Sequence, residues 1–387
     1  MRDLLDHHAN AIEYVLHAHD INGRVAGGAL SPRLVHFHLR LPSTVRTSRI
    51  AQLLPQIAEA LQVPAVRLAP DPETGEPVLE VPRPDPVAVR LLPLAKKVAE
   101  IVPPCTATLG LDTGGTPLLL RLDAPEVCPT LVIGAPAAGK THLLQTMAVS
   151  LALHNSPDTL RMLLMDVSGP ARWGRKREQS AWDALAPLPH LVTEPVREPQ
   201  EAYIRLRWVG RLMKERADLL TEGESIEGAS LVMLVDGLEE LAAGPHATES
   251  LDLLERIARD GRELGVYLVA SSRGSSLVDQ LSWGARLVGR CRDAAAARAA
   301  SSMQGSGAEG LLGGGDFLAL LGGEAVRFQA ATLGPEEVAR TVALLQQVAD
   351  AEEMSAEMEL RAGRPNPAHK GSQMLQRRSG AGPSLLR

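Results

Sequence analysis

The stretch Gly134-Ala135-Pro136-Ala137-Ala138-Gly139-Lys140-Thr141 has the residue types and spacing that hold phosphate. It fits the pattern G-x-x-x-x-G-K-[ST] and stands in the context that pattern needs. The apolar run Leu131-Val132-Ile133 before it reads as a buried strand, and His142 to Ala148 after it read as a helix. Gly134 and Gly139 let backbone N–H groups curl around phosphate oxygens at the positive end of that helix. Lys140 reaches the β- and γ-phosphates, and the Thr141 hydroxyl takes a place on Mg2+. The motif predicts nucleoside triphosphate binding by residues 134–142, through His142.

A hydrolytic site also needs a carboxylate for the metal and one for water. Asp236 ends the apolar strand Leu231-Val232-Met233-Leu234-Val235, where a carboxylate would hold Mg2+ directly or through water. Hydrolysing members of this broad class place a Glu directly after that Asp. Here the next residue is Gly237, with Glu239 and Glu240 beyond it. Glu239 substitutes if the backbone bulges at Gly237; otherwise hydrolysis is slow.

The elements that position these residues follow from periodicity. Apolar runs ending at Asp166, Asp236 and Ser271 alternate with helical patterns, which predicts a parallel sheet covered on both faces. Ligands gather at the carboxyl ends of such strands, where Gly134 also falls. Upstream, a helix over 3–19, a turn bracketed by Gly27-Gly28 and Ser31-Pro32, a strand over 34–41, a helix through Leu61 and strands over 65–68 and 78–81 predict a small α+β unit. Pro82, Pro84 and Pro86 mark a stiff boundary. The expected fold class is α/β: a RecA-like P-loop ATPase core with a parallel sheet, preceded by a small α+β domain. The expected limits are 1–100 for the small domain, 101–350 for the ATPase domain and 351–387 for the end of a C-terminal helix and a disordered basic tail. His36 and His38 lie on one face of their strand. They could share a metal, but with no third ligand nearby a solvated face is the simpler reading.

The 387 residues are 45% hydrophobic and 22% charged, enough for a substantial core. Aromatics make up 3%, which excludes base stacking as a main device, and the net charge of −6 requires any DNA contact to come from a local basic patch. Cys105, Cys128 and Cys291 are far apart and suit a reducing compartment. No apolar run approaches the roughly 20 residues of a membrane span, and the first residues are not a signal peptide. The expected location is the cytoplasm.

With the phosphate loop, Asp236 and the segment Arg259-Asp260-Gly261-Arg262-Glu263-Leu264-Gly265 leading into Val266–Arg273, the chain resembles the FtsK/SpoIIIE family of DNA-translocating ATPases. The likeness runs from about Ala11 to Leu345. It includes the small N-terminal domain, the segment Pro187-Leu188-Pro189-His190-Leu191, and the glycine-rich run Ala308-Glu309-Gly310-Leu311-Leu312-Gly313-Gly314-Gly315-Asp316. The resemblance implies a homo-oligomeric ring, usually a hexamer, that threads double-stranded DNA and moves along it with ATP and Mg2+. Arg298 matches a family arginine near the subunit boundary. It either reaches a neighbour's nucleotide in trans or is a solvated helix residue. Arg172, Arg175, Lys176 and Arg177 either track DNA phosphates in the ring's channel or form a solvated basic loop.

The departures are specific. The family's Asp-Glu is Asp236-Gly237, its sensor Gln is Ser272, its Asp-Pro-Lys is Asp166-Val167-Ser168, and its basic loop before the Asp236 strand is the acidic Thr221-Glu222-Gly223-Glu224-Ser225. The reading expects no winged-helix domain after the motor and no membrane anchor before it, and it leaves the basic tail as a possible contact for a partner protein. Two alternatives stay open: an ATPase of this kind that moves protein in secretion, and a hydrolysis-poor ATP-binding assembly subunit.

Overall fold

The computed structural model describes residues 2–71, 74–168, 180, 182–274 and 281–361. Among them, no helix is long and apolar enough to cross a membrane. The chain opens with α1 (Arg2–Ala18), β1 (Arg24–Leu30), β2 (Leu34–Arg40), α2 (Thr47–Ala60), β3 (Arg67–Pro70) and β4 (Pro77–Pro82). The strands make an antiparallel sheet in the order β1-β2-β4-β3. Alternation along β2 and β4 sends Val35, Phe37, Leu39, Leu79 and Val81 into a core with Ile12 and Leu16 of α1 and Ile50 and Ile57 of α2. His36 and Glu80, partners in register, belong to the opposite face. They are buried all the same, because that face docks on the rest of the chain.

The order here is α-β-β-α-β-β, one strand more than expected. Gly27-Gly28 belongs to the strand β1, and the expected turn is confined to its Ser31-Pro32 end, where the Ser31 amide donates to the Leu34 carbonyl at 2.9 Å. β1 is an edge strand, almost wholly exposed and with an irregularity between Val25 and Gly27, so it has no hydrophobic alternation to read. The histidine face is not the expected solvated one: His36 is buried with Nε2 3.1 Å from Ser31 Oγ, and His38 Nδ1 lies 3.3 Å from Asp71.

The larger part contains α3 (Leu91–Val98), β5 (Thr106–Asp112), β6 (Pro117–Arg121), β7 (Thr130–Ile133), α4 (Lys140–His154), β8 (Leu160–Asp166), α5 (Pro199–Thr221), β9 (Ser230–Asp236), α6 (Leu238–Ala242), α7 (Ala247–Asp260), β10 (Val266–Ser272), β11 (Ala285–Gly289), α8 (Ala294–Ser301), β12 (Asp316–Leu321), β13 (Glu324–Ala330) and α9 (Pro335–Arg361). Its nine-stranded sheet has the order β6-β5-β13-β12-β11-β7-β10-β9-β8. The run from β11 to β8 is parallel, whereas β12, β13, β5 and β6 pair antiparallel. The expected parallel sheet is therefore one half of a mixed one. Parallel neighbours need long crossovers, whereas antiparallel ones need only a tight turn. Gly322 and Gly323 supply such a turn between β12 and β13, both at positive φ.

Strand alternation splits the core in two. Val132, Met162, Val232 and Val269 face α4 residues such as Leu143 and Met147. Leu131, Leu163, Met233 and Leu268 face Leu206 of α5 and Leu254 of α7. Burial on both faces is why these strands read as unbroken apolar runs. The segment around His190 covers the open edge of β8: the His190 carbonyl accepts from the Met162 amide at 2.8 Å, and the Val196 carbonyl accepts from the Asp166 amide at 2.7 Å. Cys105, Cys128 and Cys291 are buried and free, and burial pushes the thiols of Cys128 and Cys291 up to about 11, so neither is a reactive thiolate.

The two sheets meet through buried charge. Arg327 of β13 donates to both carboxylate oxygens of Asp316, at 2.9 and 2.6 Å, and also to Glu80. Arg67 donates to Glu80 at 2.9 Å and to the Ser306 carbonyl at 3.0 Å. Burial pushes the Glu80 pKa up, but Arg327 and Arg67 outweigh it and hold it below the ordinary 4.5. A carboxylate with a depressed folded pKa stabilises the fold above its unfolded pKa. That contribution is lost as pH falls from about 4.5 through the lower folded value. Replacing Arg327 with Ala leaves the buried Asp316 without its guanidinium and Glu80 with Arg67 alone, and should cost about 3–5 kcal/mol in urea unfolding. An unchanged midpoint would mean this ion cluster does not hold the sheets together.

Candidate nucleotide site

β7 ends at Ile133 and α4 begins at Lys140, so the phosphate loop bridges a central strand and a helix N-terminus. The loop passes through left-handed backbone at Ala137 (φ +63°) and Gly139 (φ +104°). Gly139 also has no room for a side chain, since a Cβ there would lie 2.7 Å from the Gly315 amide nitrogen. Neighbouring strand ends wall the loop. The Ser272 carbonyl accepts from the Gly134 amide at 3.4 Å, and the Arg290 carbonyl accepts from the Ala135 amide at 2.8 Å.

The turn Gly313-Gly314-Gly315, at positive φ throughout, completes the wall. The amides of Gly314 and Gly315 donate to the carbonyls of Ala137 and Ala138 at 3.1 and 2.9 Å. From the small sheet's side, Arg33 donates to the carbonyls of Gly313 and Gly314 at 2.8 and 3.0 Å. The loop's shape thus depends on a turn that the N-terminal unit itself caps.

Lys140 Nζ donates to the carbonyls of Gly134 and Ala135 at 2.8 and 3.2 Å. Burial lowers its pKa, while the charges of Asp236 and Glu239 oppose the shift. Thr141 Oγ1 donates to Asp236 Oδ2 at 2.7 Å, and Ser271 Oγ donates to Asp236 Oδ1 at 2.5 Å. Ser271 Oγ in turn accepts from the Gly237 amide at 3.1 Å. Lys140, Thr141 and Asp236 therefore form one cluster, while Pro136, Ala137 and His142 are exposed around it. The first-turn amides of α4 have no intrahelical acceptor and are available to an anion. A hydroxyl and a carboxylate already in contact suit a hard divalent cation. The residues present fit a triphosphate with Mg2+.

At Gly237 the chain turns left-handed, at φ +109°, and α6 starts at the next residue. A Cβ there would stand 2.8 Å from both the Cα and the amide nitrogen of Ser168. This close approach explains the glycine: a glutamate would collide with the backbone after β8. Glu239 is delivered to the end of β10, where its Oε1 accepts from Ser272 Oγ at 2.6 Å and from the amides of Arg273 and Gly274 at 2.6 and 3.1 Å. The two departures from the family pattern, Gly237 and Ser272, thus meet through Glu239.

Arg298 is exposed on α8, and no described contact joins it to the cluster. Arg286 of β11 donates to the Ala300 carbonyl of α8 at 3.0 Å. Arg172, Arg175, Lys176 and Arg177 lie outside the described residues, as does the tail from residue 362. The sequence places Ser271 at a ligand-gathering strand end and Arg273 in the family segment but gives neither a role, and it does not point to Arg33. Ser271 was within reach, because pairing β10 with β9 from Val266 and Leu231 sets it opposite Asp236. Arg33 was not, being far from the glycine turn in sequence.

The model of the FtsK/SpoIIIE family matches residues 94–230, and that of the FtsK alpha domain matches residues 2–83. The DNA translocase FtsK of Caldanaerobacter subterraneus subsp. tengcongensis is 28% identical over 360 residues, covering 88% of this chain and 49% of that protein. The DNA translocase FtsK of Mycobacterium tuberculosis H37Rv is 27% identical over 384 residues, covering 89% of this chain and 44% of that protein. The chain thus spans about half the length of the curated relatives it matches. Among solved structures, the pCW3 conjugation coupling protein TcpA, in its monomer form with ATPγS, has a TM-score of 0.51 at 14% identity, over 86% of this chain and 99% of that one. The cytoplasmic domain of the Thermomonospora curvata type VII secretion ATPase EccC has a TM-score of 0.51 at 23% identity, over 65% of this chain and 32% of that one. At these identities the likeness is one of fold.

Gly237→Glu should not restore a family-type carboxylate. It should instead lower stability by about 1–3 kcal/mol through backbone strain and collision with Ser168, read by urea unfolding. A stable variant with faster ATP turnover would contradict the geometry.

Proposed function

Because the chain belongs to the FtsK/SpoIIIE family, we propose that it works as an ATP-dependent translocase subunit for double-stranded DNA. The observation that carries this reading is the assembly of Lys140, Thr141 and Asp236 on a phosphate loop shaped from both sheets. In this reading the loop amides and Lys140 bind the triphosphate, and Thr141 and Asp236 hold Mg2+. The metal, when bound, neutralises charge on the transferring phosphate. Glu239 serves as the carboxylate that polarises water. Its Oε1 is anchored by three donors, while Oε2 is shielded from solvent and accepts no hydrogen bond from the described residues.

The ring belongs to the same proposal. Arg298 is exposed and has no partner among the described residues, which suits a guanidinium that reaches a neighbouring subunit's nucleotide. Six copies of Arg172, Arg175, Lys176 and Arg177 would line a channel for DNA phosphates. The protein would act in the cytoplasm, with the basic tail open to a partner protein. Gly237 favours a second reading, a hydrolysis-poor ATP-binding subunit of an assembly, because the usual position of the water-polarising carboxylate is closed. The fold shared with secretion ATPases keeps protein as an alternative cargo.

Displacement of a third strand from a linear duplex reads movement directly. The purified protein should displace it only with ATP. Lys140→Ala should abolish displacement, and Arg298→Ala should slow it by about 10³-fold or more. Displacement that survives Lys140→Ala would contradict the proposal.

A further inference from the structure

β10 lies between β7 and β9, so its carboxyl end arrives between the phosphate loop and Asp236. Three consecutive residues there are committed to the site. Ser271 holds Asp236, and Ser272 holds Glu239 through its hydroxyl and Gly134 through its carbonyl. Arg273 comes next. Its guanidinium is ion-paired with Glu240, and its Nε stands 4.0 Å from Glu239 Oε2. It is close enough to Lys140 to be among the charges acting on that ammonium.

This ion cluster is not a finished structural strut. Glu239 Oε2 and Glu240 Oε2 are both shielded from solvent and have no hydrogen-bond donor among the described residues. Arg273 is 51% exposed, so it is held weakly and can move. A phosphate resting on Lys140 would enter beside three carboxylates, those of Asp236, Glu239 and Glu240. Arg273, paired with Glu240 and beside Glu239, is a cation placed to offset that repulsion, and its planar fork binds two phosphate oxygens at once.

We propose that Arg273 reads the γ-phosphate within its own subunit, held by Glu240 when no triphosphate is bound and transferred to the γ-phosphate when one is. Glu240 is then the competitor that sets how strongly the site prefers triphosphate to diphosphate. The proposal rests on the nucleotide-binding reading and adds to it a residue outside the phosphate loop.

The test is equilibrium binding of fluorescent ATPγS and ADP, each with Mg2+, to the whole protein and its variants. Arg273→Ala should weaken ATPγS binding about tenfold or more and leave ADP within about twofold. Arg273→Lys should fall between, since an ammonium keeps the charge and loses the fork. Glu240→Gln should tighten ATPγS binding, a gain that damage to the fold cannot produce, and this gain should vanish in the double variant with Arg273→Ala. Equal weakening of both nucleotides by Arg273→Ala, or no tightening by Glu240→Gln, would overturn the role of Arg273. If the unsubstituted protein binds neither nucleotide, the reading beneath the proposal fails with it.

Discussion

One guanidinium ties the molecule together. Arg327 is 4% exposed and grips Asp316, the residue that ends the glycine turn, while also reaching Glu80 on the small sheet. Burying such charges is costly in itself, and hydrophobic residues could fill the space at similar stability. What the ions provide is position. Asp316 also accepts from the Leu312 amide at 2.7 Å, so both ends of the turn are fixed around Gly313-Gly314-Gly315. That turn holds the carbonyls of Ala137 and Ala138, and thereby the left-handed path of the phosphate loop. The N-terminal unit is therefore part of the nucleotide site's support, through Glu80 and Arg33, although it contributes no residue to the Lys140 cluster.

The opposite wall is built from strand ends. Ser271 bridges Asp236 and Gly237, and Gly237 turns sharply because the backbone at Ser168 leaves no space for a side chain. The consequence is chemical. Carboxylates that would otherwise follow Asp236 are carried onto α6 and presented to the end of β10, where Ser272 is small enough to bond Glu239. Gly237 and Ser272 thus look like single losses when read separately and like one rebuilt contact when read together.

Much of this was legible in the residues, for identifiable reasons. The phosphate loop and Asp236 are local signals, because strand, turn and helix N-terminus are contiguous. The strands from β7 to β10 stand out because burial on both faces leaves unbroken apolar runs. β1 is an exposed edge strand with no alternation, so only the turn at Ser31-Pro32 that ends it is readable. The antiparallel half of the large sheet escaped for another reason. Which strands pair there depends on contacts such as β13 with β5, which are distant in sequence. The ion cluster was invisible for the same reason, since no local pattern links Arg327 to Glu80 or Arg33 to the glycine turn.

In the proposed function Glu239 takes the place of the carboxylate that Gly237 excludes. Steady-state ATP turnover, with and without linear double-stranded DNA, tests it most directly when Glu239→Gln is measured beside the unsubstituted protein. Turnover should rise with DNA and fall by about 10²-fold or more in Glu239→Gln. Turnover in that variant equal to the unsubstituted protein's would contradict it.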